Sequence, residues 1–238
     1  MTVPPATIAR IVGVIDLTNL SDDTPREAIV ALCRKARDRG VAAVCVHVPW
    51  VAEARDLLAG SAVRVATVLN FPTGSASVPD VLTEARRAAE AGAQELDLVV
   101  PYRQGPDAVK AMVRAVREAH PGLTLKAILE TGECREEDHA TLARAAIAGG
   151  ADMLKTSTGM VPVGATPAAA GALLGAIAAA DRPVGLKVSG GIRTADAAAG
   201  FLAQADAAFG QQVTPALFRI GCSGLLDALE DGSVRDGY

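Results

Sequence analysis

The stretch LTLKAILETGECREEDHATLARAAIAGGADMLKT, residues 123–156, contains one complete copy of the pattern that organises this chain. An apolar run at 123–130 precedes a stretch of helical period at 135–148, and a second apolar run follows at 151–156. The pair Gly149-Gly150 ends the helical stretch, where glycine adopts the left-handed conformation most easily. Apolar runs that alternate with amphipathic helices indicate parallel strands joined by helices.

The same alternation continues along the whole chain. The predicted strands are IVGVID (11–16), AAVCVHV (42–48), VRVATVLN (63–70), AQELDLVV (93–100), LTLKAILE (123–130), ADMLKT (151–156), PVGLKVS (183–189) and LFRIGC (217–222). The predicted helices lie near 25–39, 50–59, 78–91, 105–119, 135–148, 167–180, 194–209 and 223–231. Eight β–α units predict a single-domain (β/α)8 TIM barrel over residues 1–238, since such barrels contain about 250 residues. A doubly wound open sheet is the alternative, although it normally needs fewer units and no G-x-G-x-x-G follows the first strand.

Composition and charge exclude several classes of protein. The net charge is −4 and no basic block occurs, which argues against a nucleic-acid partner. No apolar run reaches the roughly 18 residues that a membrane span needs, and the N-terminus lacks the pattern of a signal peptide. We therefore expect a cytoplasmic protein without nucleic-acid or membrane partners. A homodimer is expected only because homodimers are common among soluble enzymes.

The cysteines and histidines are dispersed along the chain. They are Cys33, Cys45, Cys134, Cys222, His47, His120 and His139. No C-x-x-C pair of a zinc site occurs, and the expected compartment argues against disulfides. We predict no metal site, and on spacing alone each of these residues is expected to serve the core or the surface.

Lysine is rare in this chain, and three of its five lysines lie in predicted strands. Arginine supplies most of the positive charge, so Lys126, Lys155 and Lys187 suggest a need for amines that can lose a proton. For any one of them the alternative is a buried lysine paired with a carboxylate. If strands four to seven are neighbours in a barrel, all three lysines converge with Asp97 at one mouth.

Such a cluster would change the chemistry of its amines. Desolvation and a neighbouring ammonium both lower the pKa of a lysine. A neutral amine at pH 7 is a nucleophile for carbonyl groups. We therefore predict that Lys155 forms a Schiff base.

Two glycine-containing turns indicate a phosphorylated substrate. Ser189, Gly190 and Gly191 follow the seventh predicted strand, and GCSG (221–224) follows the eighth. Glycine lets backbone N–H groups approach an anion, and the next helix adds the positive end of its dipole. Phosphate sites of barrels commonly use these two loops.

Nine segments give the chain a resemblance to the deoxyribose-phosphate aldolases, class I aldolases built on (β/α)8 barrels. The segments are IDLTNL (15–20), AAVCVHVP (42–49), ATVLNFPTG (66–74), ELDLVVPYR (95–103), LKAILETGE (125–133), DMLKTSTG (152–159), GAT (164–166), KVSGGIRT (187–194) and RIGCSG (219–224). The resemblance implies reversible cleavage of 2-deoxy-D-ribose 5-phosphate to D-glyceraldehyde 3-phosphate and acetaldehyde. It implies no cofactor, since the lysine iminium takes the role that a metal might otherwise play.

The resemblance also implies roles for individual residues. Lys155 would form the Schiff base, Lys187 would tune its pKa and relay protons, and Asp97 would move protons together with a water molecule. The implied substrate-binding residues are Asp16, Thr18, Cys45, Lys126, Thr158, Gly159, Ser189, Gly190, Gly191, Gly221, Ser223 and the terminal Tyr238. A short mobile tail is expected at about 231–238.

The chain departs from the family pattern at three positions near the expected phosphate site. Met160 stands where some members have a lysine, Val188 where a smaller residue is more familiar, and Gly224 where some have a second serine. Phosphate recognition would then depend on the backbone N–H groups of Gly190, Gly191, Gly221 and Ser223.

Three alternative functions use the same residues differently. A phosphosugar isomerase would use a carboxylate base, with the lysines stabilising charge. A non-catalytic phosphosugar-binding relative would keep the scaffold without turnover. Another lysine aldolase of the same fold would differ only in its substrate.

Overall fold

Eight parallel strands, hydrogen-bonded in chain order, close into a barrel. The structure is a computed structural model that describes residues 3–234, with side chains as far as residue 229. The strands are β1 (Ile15–Asn19), β2 (Ala43–Val46), β3 (Arg64–Leu69), β4 (Glu95–Val99), β5 (Thr124–Ile128), β6 (Met153–Lys155), β7 (Gly185–Ser189) and β8 (Phe218–Cys222). The predicted (β/α)8 barrel is confirmed.

A layer of helices surrounds the strands. The helices are α1 (Pro5–Gly13), α2 (Arg26–Arg39), α3 (Val51–Leu57), α4 (Val78–Ala91), α5 (Pro106–Ala119), α6 (Glu136–Gly149), α7 (Pro167–Ala178), α8 (Ala195–Phe209) and α9 (Leu225–Val234). Short 3-10 helices follow β2, β4 and β5 at Val48–Trp50, Tyr102–Gln104 and Thr131–Glu133. Within residues 3–234, no helix is long and apolar enough to cross a bilayer.

Helix boundaries follow the local sequence. The side chains of Ser77, Thr166 and Thr194 accept hydrogen bonds from the backbone N–H three residues ahead and so cap α4, α7 and α8. Gly40 and Gly92 end α2 and α4 in the left-handed conformation. These caps explain why the predicted helix bounds agree closely with the observed ones.

The first predicted strand is partly wrong. Residues 11–13 belong to helix α1, and β1 begins only at Ile15. The β-branched run favoured a strand, but Ile8, Ile11 and Val12 also have the i, i+3, i+4 spacing of a helix face, and Pro5 stands in its first turn. Ile11 is fully buried in the core, so tertiary packing decides in favour of the helix.

The two faces of each strand have different surroundings. Aliphatic side chains pack between the strands and the helices in one continuous core. The barrel interior instead contains a column of charged side chains, each at most 4% exposed: Asp16, Glu95, Asp97, Lys126, Lys155, Lys187 and Arg219. Such a column is costly unless every charge has a partner or is removed by a proton shift, which makes it the candidate functional site.

The mobile tail expected at about 231–238 lies partly within the described residues, which end at 234. Helix α9 continues to Val234, so 231–234 are helical. Tyr238 lies outside the described residues, and its role stays a prediction.

Candidate active site

Asp97 of β4 is the centre of the lysine cluster. Its Oδ1 accepts a hydrogen bond from Lys126 Nζ at 2.7 Å. Its Oδ2 accepts from Lys155 Nζ at 2.8 Å and from Lys187 Nζ at 2.7 Å. Four consecutive strands, β4 to β7, supply these side chains, and the strand register places Lys126 beside Asp97 and Lys187 beside Lys155. The predicted convergence of these four residues is therefore observed.

Asp16 of β1 closes the group on the opposite side of the barrel. Its Oδ2 accepts from Lys187 Nζ at 2.6 Å and lies 3.5 Å from Lys126 Nζ. Among the described residues, Lys126 and Lys187 thus each contact two or more carboxylates, whereas Lys155 contacts only the carboxylate of Asp97. The three lysines are not equivalent.

This difference in partners separates the protonation behaviour of the amines. Burial lowers the pKa of Lys155, Asp97 opposes that effect, and the charge of Lys187 lowers it further. Burial also acts on Lys187, but Asp16 and Asp97 outweigh it, and the pKa of Lys187 is raised. The pKa of Lys126 is raised for the same reason. The lysine with the fewest carboxylates is the one that favours the neutral, nucleophilic form.

Two charged residues of the column were not predicted from the sequence. Arg219 of β8 donates from Nη1 to Asp16 Oδ1 at 2.5 Å and from Nη2 to Glu95 Oε1 at 2.9 Å. Glu95 Oε2 also lies 2.6 Å from Lys126 Nζ. A signal was present: Glu95 stands two residues before Asp97, which places both on one face of the strand, and Arg219 interrupts the apolar run LFRIGC.

The loops after β6 and β7 meet above Lys155. Gly190 and Gly191 have φ of 86° and 81°, where glycine is favoured. A Cβ on Gly164 would lie 2.3 Å from the carbonyl oxygen of Gly190, so the contact requires glycine. The Ser189 hydroxyl donates to the carbonyl of Ser157 at 2.5 Å. The hydroxyl of Ser189 is thus engaged in joining the loops, while Gly190 and Gly191 form the turn at the mouth.

The other predicted substrate-binding residues differ in how deeply they are buried in the barrel. Gly221 lies within β8, where a Cβ would lie 2.9 Å from Lys187 Cε, so this glycine makes room for the lysine. Ser223, in the following loop, is exposed. Cys45 is fully buried in β2, and burial raises the pKa of its thiol to about 11. The Thr18 hydroxyl donates to the Asp16 carbonyl at 3.0 Å.

The three positions that depart from the family pattern (Met160, Val188 and Gly224) differ in exposure, as do their neighbours in the loop after β6. Met160 and Val163, both in the loop after β6, are 60% and 50% exposed. Gly159, which precedes Met160, has φ of 84°. Gly224 is exposed, and Val188 is buried in β7.

Glu130, at the end of β5, is a further residue that sequence analysis missed. It is buried, and its backbone has φ of 48°, which is uncommon for a residue other than glycine. Its carboxylate accepts hydrogen bonds from the backbone N–H of Thr158 at 3.1 Å and from the Thr158 hydroxyl at 2.5 Å. Glu130 therefore holds the loop that follows Lys155.

Substitution Glu130→Ala is expected to lower the free energy of unfolding by about 2–4 kcal/mol, because it removes two hydrogen bonds to a charged acceptor and keeps a Cβ in a strained backbone. Urea unfolding of both proteins measures the difference. Thr158→Val is the matched control, since it removes only the hydroxyl from the same contact and should cost less. Equal stability of Glu130→Ala and the parent protein would contradict this role.

Comparisons with known proteins show which family this chain is similar to. A family model described as DeoC/LacD family aldolase matches residues 11–229. The chain is 41% identical over 236 residues to a deoxyribose-phosphate aldolase of Agrobacterium fabrum, with 94% of this chain and 90% of that protein covered.

Two solved structures extend the likeness to three dimensions. A protein of Coccidioides immitis superimposes with a TM-score of 0.86 at 29% identity, over 98% of this chain and 88% of that one. The tetrameric deoxyribose phosphate aldolase of Aeropyrum pernix gives a TM-score of 0.80 at 28% identity, over 97% of this chain and 99% of that one. Both likenesses extend over nearly the whole barrel.

Proposed function

Because the chain belongs to the DeoC/LacD family of aldolases, we propose that it cleaves 2-deoxy-D-ribose 5-phosphate reversibly to D-glyceraldehyde 3-phosphate and acetaldehyde. The reaction proceeds through a Schiff base on Lys155. The observation that carries the proposal is the contact of Lys155 with Asp97 at 2.8 Å, in a cluster that lowers the pKa of this lysine alone among the three.

The first half of the reaction forms the iminium. The neutral Lys155 amine attacks the aldehyde carbon of the open-chain sugar and gives a carbinolamine. Loss of water then requires one proton delivered to the departing hydroxyl group. Asp97 Oδ2 accepts hydrogen bonds from both Lys155 and Lys187, so it is placed to pass a proton between the two amines.

The second half breaks the carbon–carbon bond. Asp97, acting through a water molecule, removes the proton of the C3 hydroxyl, the bond between C2 and C3 breaks, and its electron pair moves toward the iminium nitrogen to give an enamine. D-Glyceraldehyde 3-phosphate leaves at this point. The enamine is then protonated at carbon, and hydrolysis releases acetaldehyde and the free lysine. The iminium itself accepts the electron pair, so we propose that no metal or organic cofactor takes part.

The phosphate group is assigned to the loops after β7 and β8. Gly190 packs against Gly164, whereas Gly191 has open space where a side chain would stand; both precede α8, whose N-terminus adds a favourable dipole for an anion. The exposed Ser223 lies in the loop after β8, before α9. Met160 supplies no cation on the other side of the mouth, so backbone N–H groups carry most of the recognition in this proposal.

Trapping of the intermediate tests the proposal most directly. The protein is incubated with acetaldehyde and borohydride, its intact mass is measured, and the modified peptide is mapped; turnover of 2-deoxy-D-ribose 5-phosphate is measured in parallel. A reduced two-carbon adduct on Lys155 is expected, together with turnover. Lys110→Ala, which removes an exposed lysine of α5, is the control and should keep the adduct. A folded protein without an adduct would favour the isomerase or the non-catalytic binder.

Substitution Lys187→Leu is expected to move the acid limb of the pH–rate profile to higher pH. Removal of this ammonium takes away a like charge and frees Asp97 to stabilise protonated Lys155, so both effects raise the pKa of Lys155. A higher pKa means that the neutral amine appears only at higher pH. The profile of kcat/KM against pH measures the shift, and an unchanged acid limb would argue against coupling between the two lysines.

Assembly and compartment complete the proposal. We retain the homodimer as a prediction, although the Aeropyrum pernix relative is tetrameric; light scattering gives the mass of the particle in solution. A cytoplasmic location likewise stays a prediction, which fractionation of the source cells would test.

A further inference from the structure

Ion pairs in the barrel continue from the lysine cluster toward the N-terminal ends of the strands. Glu95 contacts Lys126 at 2.6 Å and Arg219 at 2.9 Å, and Arg219 also donates to Asp16 at 2.5 Å. Neither Glu95 nor Arg219 contacts Lys155 in the part of the chain that the structure describes. They touch its neighbours instead, from the side of the barrel away from the mouth, where a cavity of about 450 Å³ is lined by both of them.

The charges of this column do not balance when every group is ionised. Among the described residues, the ion pairs of the column join three buried acids (Asp16, Glu95 and Asp97) to four buried bases (Lys126, Lys155, Lys187 and Arg219), while the buried carboxylate of Glu130 is bound to Thr158. Arg64 also reaches Glu95 at 2.7 Å, but 42% of its side chain is exposed, so water screens its charge. Three cations neutralise three carboxylates, and one proton is in excess.

The geometry selects the group that gives up this proton. An arginine does not deprotonate in proteins, so Arg219 stays charged. Lys126 and Lys187 each contact at least two carboxylates, whereas in the described part of the chain Lys155 contacts Asp97 alone. The amine with the weakest support is therefore the first to become neutral.

We propose that Glu95 and Arg219 are positioning residues of the aldolase: by fixing the charge balance of the barrel interior, they assign the neutral amine to Lys155. This inference rests on the proposed function of Lys155. The two residues act with opposite signs, because the negative charge of Glu95 favours the protonated amine of Lys155 and the positive charge of Arg219 disfavours it.

Charged or titratable side chains face Lys155 from six of the other strands or the loops that follow them. The charged or titratable groups are Asp16 of β1, Cys45 of β2, Asp97 of β4, Lys126 of β5, Glu130 after β5, Lys187 of β7 and Arg219 of β8. Cys45 adds no charge near neutral pH, because burial raises the pKa of its thiol to about 11. Glu130 is directed to Thr158 in the mouth loop. The lower column therefore contributes through Glu95 and Arg219.

The test measures the protonation of Lys155 without using turnover. Methyl acetimidate is a small reagent for neutral amines, and peptide mapping gives its rate of reaction with Lys155 at each pH, relative to the exposed Lys110 of the same sample. Glu95→Gln should move the midpoint to lower pH by about one unit, as expected for loss of a buried unit charge that lies beyond direct contact. Arg219→Met should move it to higher pH by a similar amount.

Two further variants separate charge from general damage to the barrel. Glu95→Gln combined with Arg219→Met restores the balance and should return the midpoint close to that of the parent protein, whereas Arg219→Lys keeps the charge and should leave it unchanged. Shifts in the same direction for both single variants, or none in either, would overturn the proposal.

A surface variant keeps the test decisive if the buried variants do not fold. Arg64→Gln should move the midpoint upward by about a few tenths of a unit, since its partly exposed charge is screened, and an unchanged or lower midpoint would overturn the proposal. Failure of the proposed function is seen separately, as absence of the acetaldehyde adduct from the parent protein.

Discussion

Lys155→Ala is expected to reduce turnover of 2-deoxy-D-ribose 5-phosphate by at least about a thousandfold, because it removes the amine that forms the covalent intermediate, and the neighbouring carboxylates raise the pKa of Lys126 and Lys187. The fold should remain intact. Asp97 keeps its hydrogen bonds from Lys126 and Lys187 at 2.7 Å each, and the substitution removes an amine that burial already pushes toward the neutral form. Steady-state kinetics and thermal unfolding measure the two effects.

Lys155→Arg is the matched control for this experiment. The guanidinium keeps a hydrogen-bond donor and a positive charge beside Asp97, but it does not lose its proton and so does not attack a carbonyl. The arginine variant should therefore be as inactive as the alanine variant. Activity above a tenth of the parent value in either protein would remove Lys155 from the role of nucleophile.

Asp97→Asn is expected to slow cleavage of the carbon–carbon bond more than formation of the Schiff base, although Asp97 relays protons in both steps. The amide cannot take up a proton from Lys155 or Lys187, so turnover should fall by about 10²–10⁴-fold. Loss of the carboxylate also removes the group that raises the pKa of Lys155. The neutral amine should then be present at lower pH, and borohydride trapping of acetaldehyde should persist. Trapping and turnover measured on the same preparation give the comparison.

The same substitution should also lower stability. Asp97 accepts hydrogen bonds from three buried amines, and removal of one partner from a buried charge cluster costs about 3–5 kcal/mol. Asp206→Asn is the control, since it removes a carboxylate paired with Arg10 at 2.7 Å near the surface and should cost about 1 kcal/mol or less. If Asp97→Asn lost trapping and turnover together, Asp97 would be needed for the first step as well.

Most of the fold could be predicted from the sequence because the interactions that begin and end helices and strands join residues close together in the chain. Apolar runs, cap residues such as Thr166 and Thr194, and terminal glycines act within one or two turns of chain. They located seven of the eight strands and the helices that follow. The pattern was ambiguous at residues 11–13, where a β-branched run also has helical spacing and packing against the core decides the outcome.

The barrel and the residues of the reactive cluster could be predicted from the sequence alone. The eight-fold alternation of strands and helices, the lysines in predicted strands and the motif around Lys155 are all features of the linear sequence. The folded barrel was needed to show which of the three amines has a lowered pKa. That property depends on how many carboxylates lie within contact of each lysine, and these carboxylates come from β1 and β4, up to 171 residues distant in the chain. Glu95, Arg219 and Glu130 gained their roles in the same way, because electrostatic interactions depend on distance in space and on burial.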